Sequence, residues 1–155
     1  MAGMTDTTIR DIAAAARDVL AAALPAASVY DYKPVQGFNT LPAIWFTPPD
    51  FERRPVDEAE SQLGSYDLEL RYTLHAYVLD NATGEGGRGA EDAAAALIGQ
   101  IVGIIDNNPT LDGAVLIESI IESGEFQYAE LASAQVSGGM PVCGYEAVFA
   151  VSTLV

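Results

Sequence analysis

The chain has 155 residues, half of them hydrophobic, and a formal net charge of −15. This length predicts one domain, 1–155, with a core of its own, and no apolar run approaches the roughly 20 residues that span a bilayer, so we expect no membrane partner. With seven Lys and Arg, one cysteine (Cys143) and one histidine (His75), the composition argues against tight nucleic-acid binding, an internal disulfide and a structural zinc site.

The first predicted element is an amphipathic helix over residues 6–24, in which apolar side chains recur at spacings of three and four. Pro25 ends this pattern, and a short extended segment follows at 28–33. The residues ahead of the helix contain no basic segment followed by an apolar one. We therefore expect no secretory signal and predict assembly in a cytoplasm.

A strand is predicted over 41–47, followed by a long polar loop over 48–65. Two consecutive prolines end the strand in this prediction, because proline lacks the N–H group that a strand ladder needs. Loops of this length tend to be functional or disordered, so the segment is either a solvated loop or an arm that binds a partner. Its candidate interface residues are Arg53, Arg54, Asp57 and Glu58.

The segment SYDLELRYTLHAYV predicts a long strand with one wet face, because apolar and polar residues alternate along it. Asp67, Glu69, His75 and Tyr77 share the polar face. Such a face offers a general acid and base, and it is also typical of a solvated strand. Both interpretations stay open at the level of sequence.

A glycine-rich loop is predicted over 80–90, and its glycines have the spacing of a dinucleotide-binding loop. Glu85, Glu91 and Asp92 place negative charge where a phosphate would sit. The strands that follow also lack the helical crossovers of a doubly wound sheet. The loop is therefore predicted to be acidic and mobile, with no cofactor.

A second helix is predicted over 90–106, ended by the sequence Asn-Asn-Pro. Three strands follow, and the breaks between them, Ser123-Gly124 and SGGMPV, predict two successive hairpins. The predicted fold class is α+β: a single mixed or antiparallel sheet packed against two helices, in the order α-β-β-β-α-β-β-β.

In chain order the elements are the N-terminal helix, the segment LPAIWFTPPDFERRP, the long strand SYDLELRYTLHAYV, the helix EDAAAALIGQIVGIIDNNPTLDG and the closing strands FQYAELASAQVSGGMPVCGYEAVFAVSTLV. In this succession of elements the chain resembles the bacteriophage tail terminator proteins. The resemblance covers most of the chain and lies in architecture and size. It implies a structural virion protein, not an enzyme, that forms a homohexameric ring on the head-proximal end of a tail tube. Such a ring ends tube polymerisation and joins the tail to the head, without a cofactor.

The resemblance implies several partners: other copies of the chain, the tail tube protein, a head-tail connector or stopper protein, and DNA that passes through the lumen without specific binding. The protein would lie in the tail or neck of the virion, after assembly in the host cytoplasm. Under this interpretation Glu85, Glu91 and Asp92 are candidates to line the lumen. The alternatives are another neck protein, such as a connector or stopper, a small α+β ligand-binding domain or enzyme using Tyr72, His75 or Asp67, and a regulatory module with an edge-strand partner.

Overall fold

The computed structural model describes residues 6–34, 42–55, 66–79, 87–115, 118–121, 126–131 and 142–154. They form two helices and one six-stranded sheet, which confirms the predicted α+β class and element order. The elements are α1 (Asp6–Ala23), β1 (Ser28–Tyr30), β2 (Ala43–Pro55), β3 (Tyr66–Leu79), α2 (Gly87–Asp106), β4 (Glu118–Ile121), β5 (Gln127–Leu131) and β6 (Val142–Leu154).

The sheet has the strand order β1-β2-β3-β6-β4, and β5 also pairs with β6. β1 is parallel to β2, and every other pairing is antiparallel. Because β3 and β4 both run opposite to β6, they are parallel to each other with β6 inserted between them. The connection from β3 to β4 is therefore a crossover, and its helix, α2, packs against the inserted strand.

The main core lies between the two helices and one face of the sheet. Leu20 of α1 and Ile101 of α2 are completely buried there, as are Leu74 and Phe149 of the sheet. Each such side chain contributes roughly 1.5–3 kcal/mol through the removal of apolar surface from water. Within the described part of the chain, neither helix combines the length and hydropathy that a membrane crossing demands.

A buried tyrosine ties α1 to the sheet. The Tyr72 hydroxyl donates a hydrogen bond of 2.7 Å to the carbonyl oxygen of Ile9. Burial raises the pKa of this hydroxyl above the ordinary tyrosine value, so the group remains a donor at neutral pH.

The predicted end of the second strand at residue 47 is wrong, because β2 continues to Pro55. The pairing of β2 with β3 shifts by one residue between Thr47 and Asp50, where Pro48 and Pro49 form a bulge. Prolines are tolerated at bulges and at sheet edges, where no ladder hydrogen bond is lost. The first part of the predicted polar loop, 48–55, is therefore strand, and 56–65 lie outside the described residues.

The predicted hairpin between β4 and β5 is also wrong. β4 pairs with residues 149–152 of β6 and β5 with residues 142–146, and the described residues of β4 and β5 do not pair with each other. Together they form one interrupted edge strand along β6. The second predicted hairpin, which joins β5 to β6, is confirmed by their antiparallel register.

Part of the predicted glycine-rich loop is helical. Residues 87–90 belong to the first turn of α2, whereas 80–86 lie outside the described residues. The other end of α2 is the predicted one, at Asp106. Beyond it Leu111, Asp112 and Gly113 have positive φ angles of 49°, 57° and 93°. Leu111 is nevertheless buried, so its packing in the core holds this turn in the left-handed region.

Candidate functional site

The face of the sheet turned away from the main core, here called the second face, has two unlike halves. The aromatic half contains Ala43, Trp45, His75, Tyr77, Val142 and Glu146. The charged half contains Asp50, Glu52, Arg54, Asp67, Glu69 and Arg71. Both halves are built mainly from β2 and β3, because side chains of one parity along a strand share a face.

The aromatic half is packed like a core. The ring of Trp45 stacks on that of His75, with a centroid distance of 4.9 Å and an interplanar angle of 5°. It also stacks on Tyr77, at 5.1 Å and 18°. Trp45 is 4% exposed and Tyr77 is completely buried. This half of the face is therefore a second, smaller hydrophobic cluster.

A carboxylate from β6 joins this cluster. Glu146 Oε1 accepts a hydrogen bond of 3.0 Å from the Tyr77 hydroxyl and lies 3.1 Å from His75 Nδ1. The register of the sheet places Glu146 directly opposite His75 on the neighbouring strand. Sequence reasoning did not identify Glu146, although it is an isolated acidic residue in the otherwise apolar segment GYEAVFAV.

The protonation state of His75 follows from its surroundings. Burial lowers the pKa of His75 below its ordinary value, and this effect outweighs the opposing influence of the Glu146 charge. His75 is therefore neutral near pH 7, and we assign its proton to Nδ1, because the Glu146 carboxylate beside that nitrogen accepts hydrogen bonds. Its other nitrogen, Nε2, is buried without a hydrogen-bond partner among the described residues.

The Tyr77 hydroxyl responds to the same surroundings. Burial, followed by the Glu146 charge, raises the pKa of Tyr77 above the ordinary tyrosine value. Because His75 is neutral, its contact with Glu146 is a hydrogen bond from an uncharged ring and not an ion pair.

The structure does not bring the polar residues of β3 together as one acid-base site. Glu69 and His75 share the second face but are six residues apart along an extended strand, which separates them by about 20 Å. Asp67 is farther still. Among the described residues, no group of three or more His, Cys, Asp or Glu side chains is arranged to hold a metal ion.

The charged half is exposed to solvent throughout. The Arg54 guanidinium donates two hydrogen bonds, of 2.9 and 2.7 Å, to Glu52 Oε1, and these bonds raise its pKa. Glu52 lies opposite Glu69 on β3, and Arg54 lies opposite Asp67. An open cavity of about 360 Å³ is lined by these four residues together with Leu68, Ser152 and Thr153. With Asp50 and Arg71 included, the charged half contains four carboxylates and two guanidinium groups, so its net charge is negative.

The predicted interface residues divide between the two faces of the sheet. Arg54 lies on the second face, whereas Arg53 lies opposite Leu68 and is exposed on the side of the helices. Asp57 and Glu58 fall outside the described residues. The two arginines therefore share an edge strand, but they do not form a single patch.

The predicted lumen residues are described only in part. Glu91 and Asp92 are exposed in the second turn of α2, and Glu85 lies outside the described residues. The helix that carries Glu91 and Asp92 packs on the opposite face of the sheet from the charged half.

A second cavity, of about 270 Å³, lies beside the bulge of β2, between α1 and the residues that follow β1. Its floor is apolar, and Arg10 and Lys33 line it. Asp31, its one carboxylate, is paired with Arg17 at 3.2 Å. We call this cavity the basic groove, because its acidic group is neutralised within the subunit.

Comparison with known proteins adds no assignment. No family model matches this sequence, and no curated protein matches it. Any functional conclusion therefore depends on the residues and geometry described above.

Proposed function

We propose that the protein is a structural subunit of a phage tail. Six copies form a homohexameric ring that caps the head-proximal end of the tail tube. The ring ends tube polymerisation and joins the tail to the head. Two things support the proposal, namely the resemblance in element order and size to tail terminators and the charge of the second face. The protein carries no cofactor and catalyses no reaction in this role.

The observation that carries the proposal is the charged half of the second face. It is a surface of long strands with exposed carboxylates at Asp50, Glu52, Asp67 and Glu69. When such a surface faces the axis of a ring, its net negative charge repels the phosphates of passing DNA and prevents it from sticking. The sequence-based lumen candidates Glu91 and Asp92 lie on α2, on the opposite face of the sheet, and stay a prediction of an alternative lining, as does Glu85.

The proposal is tested by electron microscopy and a tube-capping assay. Purified protein at high concentration is imaged in negative stain, and particles are classified by symmetry. The expected particles are six-fold rings with a central hole. When the protein is added to polymerising tail tube subunits, tubes are expected to stop lengthening and to carry extra density at one end. Particles without a hole that bind neither end of a tube would contradict the proposal.

A lumen variant tests the role of the acidic surface separately. Asp67→Lys combined with Glu69→Lys leaves the strand unchanged in length and reverses two charges. We expect rings of this variant to retain double-stranded DNA in a gel-shift assay at low salt, whereas wild-type rings do not. A connector or stopper role in the neck would instead appear as binding to portal-side rings without an effect on tube length.

A second candidate function is a small ligand-binding domain or enzyme, and the His75, Tyr77 and Glu146 cluster is the observation that favours it. A neutral, oriented histidine beside a carboxylate is a common arrangement in acid-base chemistry. A small molecule that binds the folded state there would raise the melting temperature, so a thermal-shift screen with wild type and His75→Gln tests it.

A further inference from the structure

Two opposite edges of the sheet end in strands that are paired on one side only within the described residues. β1 pairs with residues 43–45 of β2, and no described strand pairs with 46–55 on the side away from β3. β4 and β5 pair with β6 and with no other described strand. We call these the β2 edge, 46–55, and the β4–β5 edge, Glu118–Ile121 with Gln127–Leu131.

The β2 edge presents an aromatic ring and positive charge on the side of the helices. Phe51 is 51% exposed there, and Arg53 is exposed on the same side, two residues further along the strand. The basic groove, with Arg10 and Lys33, lies beside the same edge. Four of the seven basic residues of an acidic chain therefore belong to this strand or its groove, once Arg54 is included.

The β4–β5 edge presents apolar side chains and negative charge. Ile120, Phe126 and Tyr128 are 39–40% exposed, and Glu130 is exposed on the same side of the sheet as Tyr128. Ile120 lies opposite Ala150 and belongs to the second face, whereas Tyr128 and Glu130 are on the side of the helices, like Phe51 and Arg53. Residues 89–155 contain no Lys or Arg. On the side of the helices, the β2 edge and β5 thus carry exposed aromatic groups and charges of opposite sign.

The strand directions also fit an association of the two edges. β2 and β6 both run opposite to β3, and β4 and β5 run opposite to β6. The β4–β5 edge therefore runs opposite to β2. Copies placed side by side in the same orientation would meet as antiparallel strands.

Prolines limit where such pairing is possible. Pro49 and Pro55 lack N–H donors and enclose the short segment 50–54, whose backbone has them. A partner strand can therefore pair only with this short segment. This restriction favours one register over open-ended aggregation.

We propose that segment 50–54 of the β2 edge of one copy receives β5 of a second copy, so that the sheets of neighbouring subunits join through an antiparallel strand pair. The contact is heterologous, and repetition of it around an axis closes a ring. This inference rests on the proposed ring function and names the contact that builds it. Phe51 meets apolar side chains of β5 in the next copy, and Arg53 approaches Glu130 on the same side of the joined sheet.

Charge reversal at each edge tests the contact. The first variant is Arg53→Glu, which makes both contacting segments acidic on the side of the helices. The second is Glu130→Lys, which makes both of them basic there. For either variant alone, the concentration at which half of the subunits assemble, measured by sedimentation velocity, is expected to rise at least about tenfold.

Mixing the two variants is the decisive measurement. In an equimolar mixture every acidic edge finds a basic one, so alternating rings are expected, with equal numbers of the two variants by native mass spectrometry. A matched control, Glu91→Lys on α2, changes the charge by the same amount as Glu130→Lys, away from both edges. It is expected to assemble like wild type.

The outcomes separate the contact from the ring itself. Rings of wild-type protein, of the control and of both reversed variants would overturn the edge contact and leave the ring function standing. Wild-type subunits that never associate, alone or on tail tubes, would overturn both. Folded variants that fail to assemble when mixed would also overturn the contact. Should a reversed variant not fold by circular dichroism, Arg53→Gln and Glu130→Gln replace it, each expected to weaken assembly about threefold or more.

Discussion

The aromatic and charged halves of the second face are built from the same strands, yet they are opposites in burial. Trp45 and Tyr77 are stacked and almost inaccessible, whereas Glu52 and Asp67, farther along the same two strands, are exposed. The bulge at the two prolines of β2 lies between them. The difference shows that alternation along a strand determines on which face a residue lies, while the burial of that face varies along the strand. The aromatic half is expected to contribute stability, and the charged half is available to a partner.

The largest expected effect is a substitution that overfills the aromatic half. In Gly144→Ala the new methyl group would overlap the Ala76 carbonyl oxygen and lie 2.8 Å from Tyr77 Cα, both backbone atoms that cannot move aside. We expect the free energy of unfolding to fall by about 3 kcal/mol, measured by urea denaturation. Ser152→Ala, on the same strand in the charged region, should change it by less than about 0.5 kcal/mol. Equal effects of the two would contradict the distinction between the halves.

A smaller effect is expected when one buried hydrogen bond is removed. Tyr77→Phe deletes the bond to Glu146 without changing the stacking on Trp45, and should cost about 1 kcal/mol of stability. Tyr128→Phe is the matched control, because the Tyr128 hydroxyl donates to Glu130 at an exposed site. The loss of stability in Tyr128→Phe should be close to zero. A larger effect for Tyr128 than for Tyr77 would count against the burial argument.

The pH dependence of the aromatic half follows from the lowered pKa of His75. In the unfolded chain the pKa is about 6.5, so below that pH the unfolded state takes up a proton that the folded state does not. Stability from this site is therefore complete above about pH 6.5 and is lost as the pH falls through the folded pKa. His75→Gln should remove this pH dependence.

The titration itself is directly measurable, because His75 is the single histidine of the chain. Its ring protons should titrate below the ordinary value in an NMR experiment. Glu146→Gln removes the charge that raises this pKa, so the midpoint should fall further. A midpoint at or above the value for free histidine would show that the ring is not in the buried, neutral state.

The smallest expected effect belongs to the charged half. Arg54 and Glu52 form a close ion pair, but their side chains are 66% and 54% exposed. Solvent screening limits such pairs, so Arg54→Gln should leave the melting temperature unchanged within measurement error. Thermal melts of wild type and variant in low and high salt check this, and a clear drop in the melting temperature of the variant would mean that the pair is part of the folded core.

Much of the fold could be predicted from local patterns. Both helices and the long strand β3 have clear periodicity, and Asn-Asn-Pro correctly marks the end of α2. The predicted end of β2 at residue 47 is wrong because prolines usually end strands, whereas here they form a bulge. A bulge, which one extra residue creates, cannot be distinguished from a strand end without knowing the partner strand. That extra residue also decides the faces, since it places Arg54 on the second face and Arg53 on the other.

The candidate site was less predictable than the fold. His75 and Glu146 are 71 residues apart in sequence and meet only because β3 and β6 are neighbours in a particular register. Likewise, a Ser-Gly break is compatible with a hairpin or with an interrupted edge strand, and only pairing with β6 separates the two. Local sequence patterns specify elements, whereas contacts between distant elements depend on topology.

The position of β6 in the sheet has a consequence for how the protein is made. β6 lies between β3 and the β4–β5 edge, but it is synthesised after all of them. While β2 and β3 can pair as soon as both have left the ribosome, β4 and β5 have no described partner until β6 arrives. The acidic edge is therefore completed last during synthesis, which delays its exposure as an ordered strand until the rest of the subunit exists to accompany it.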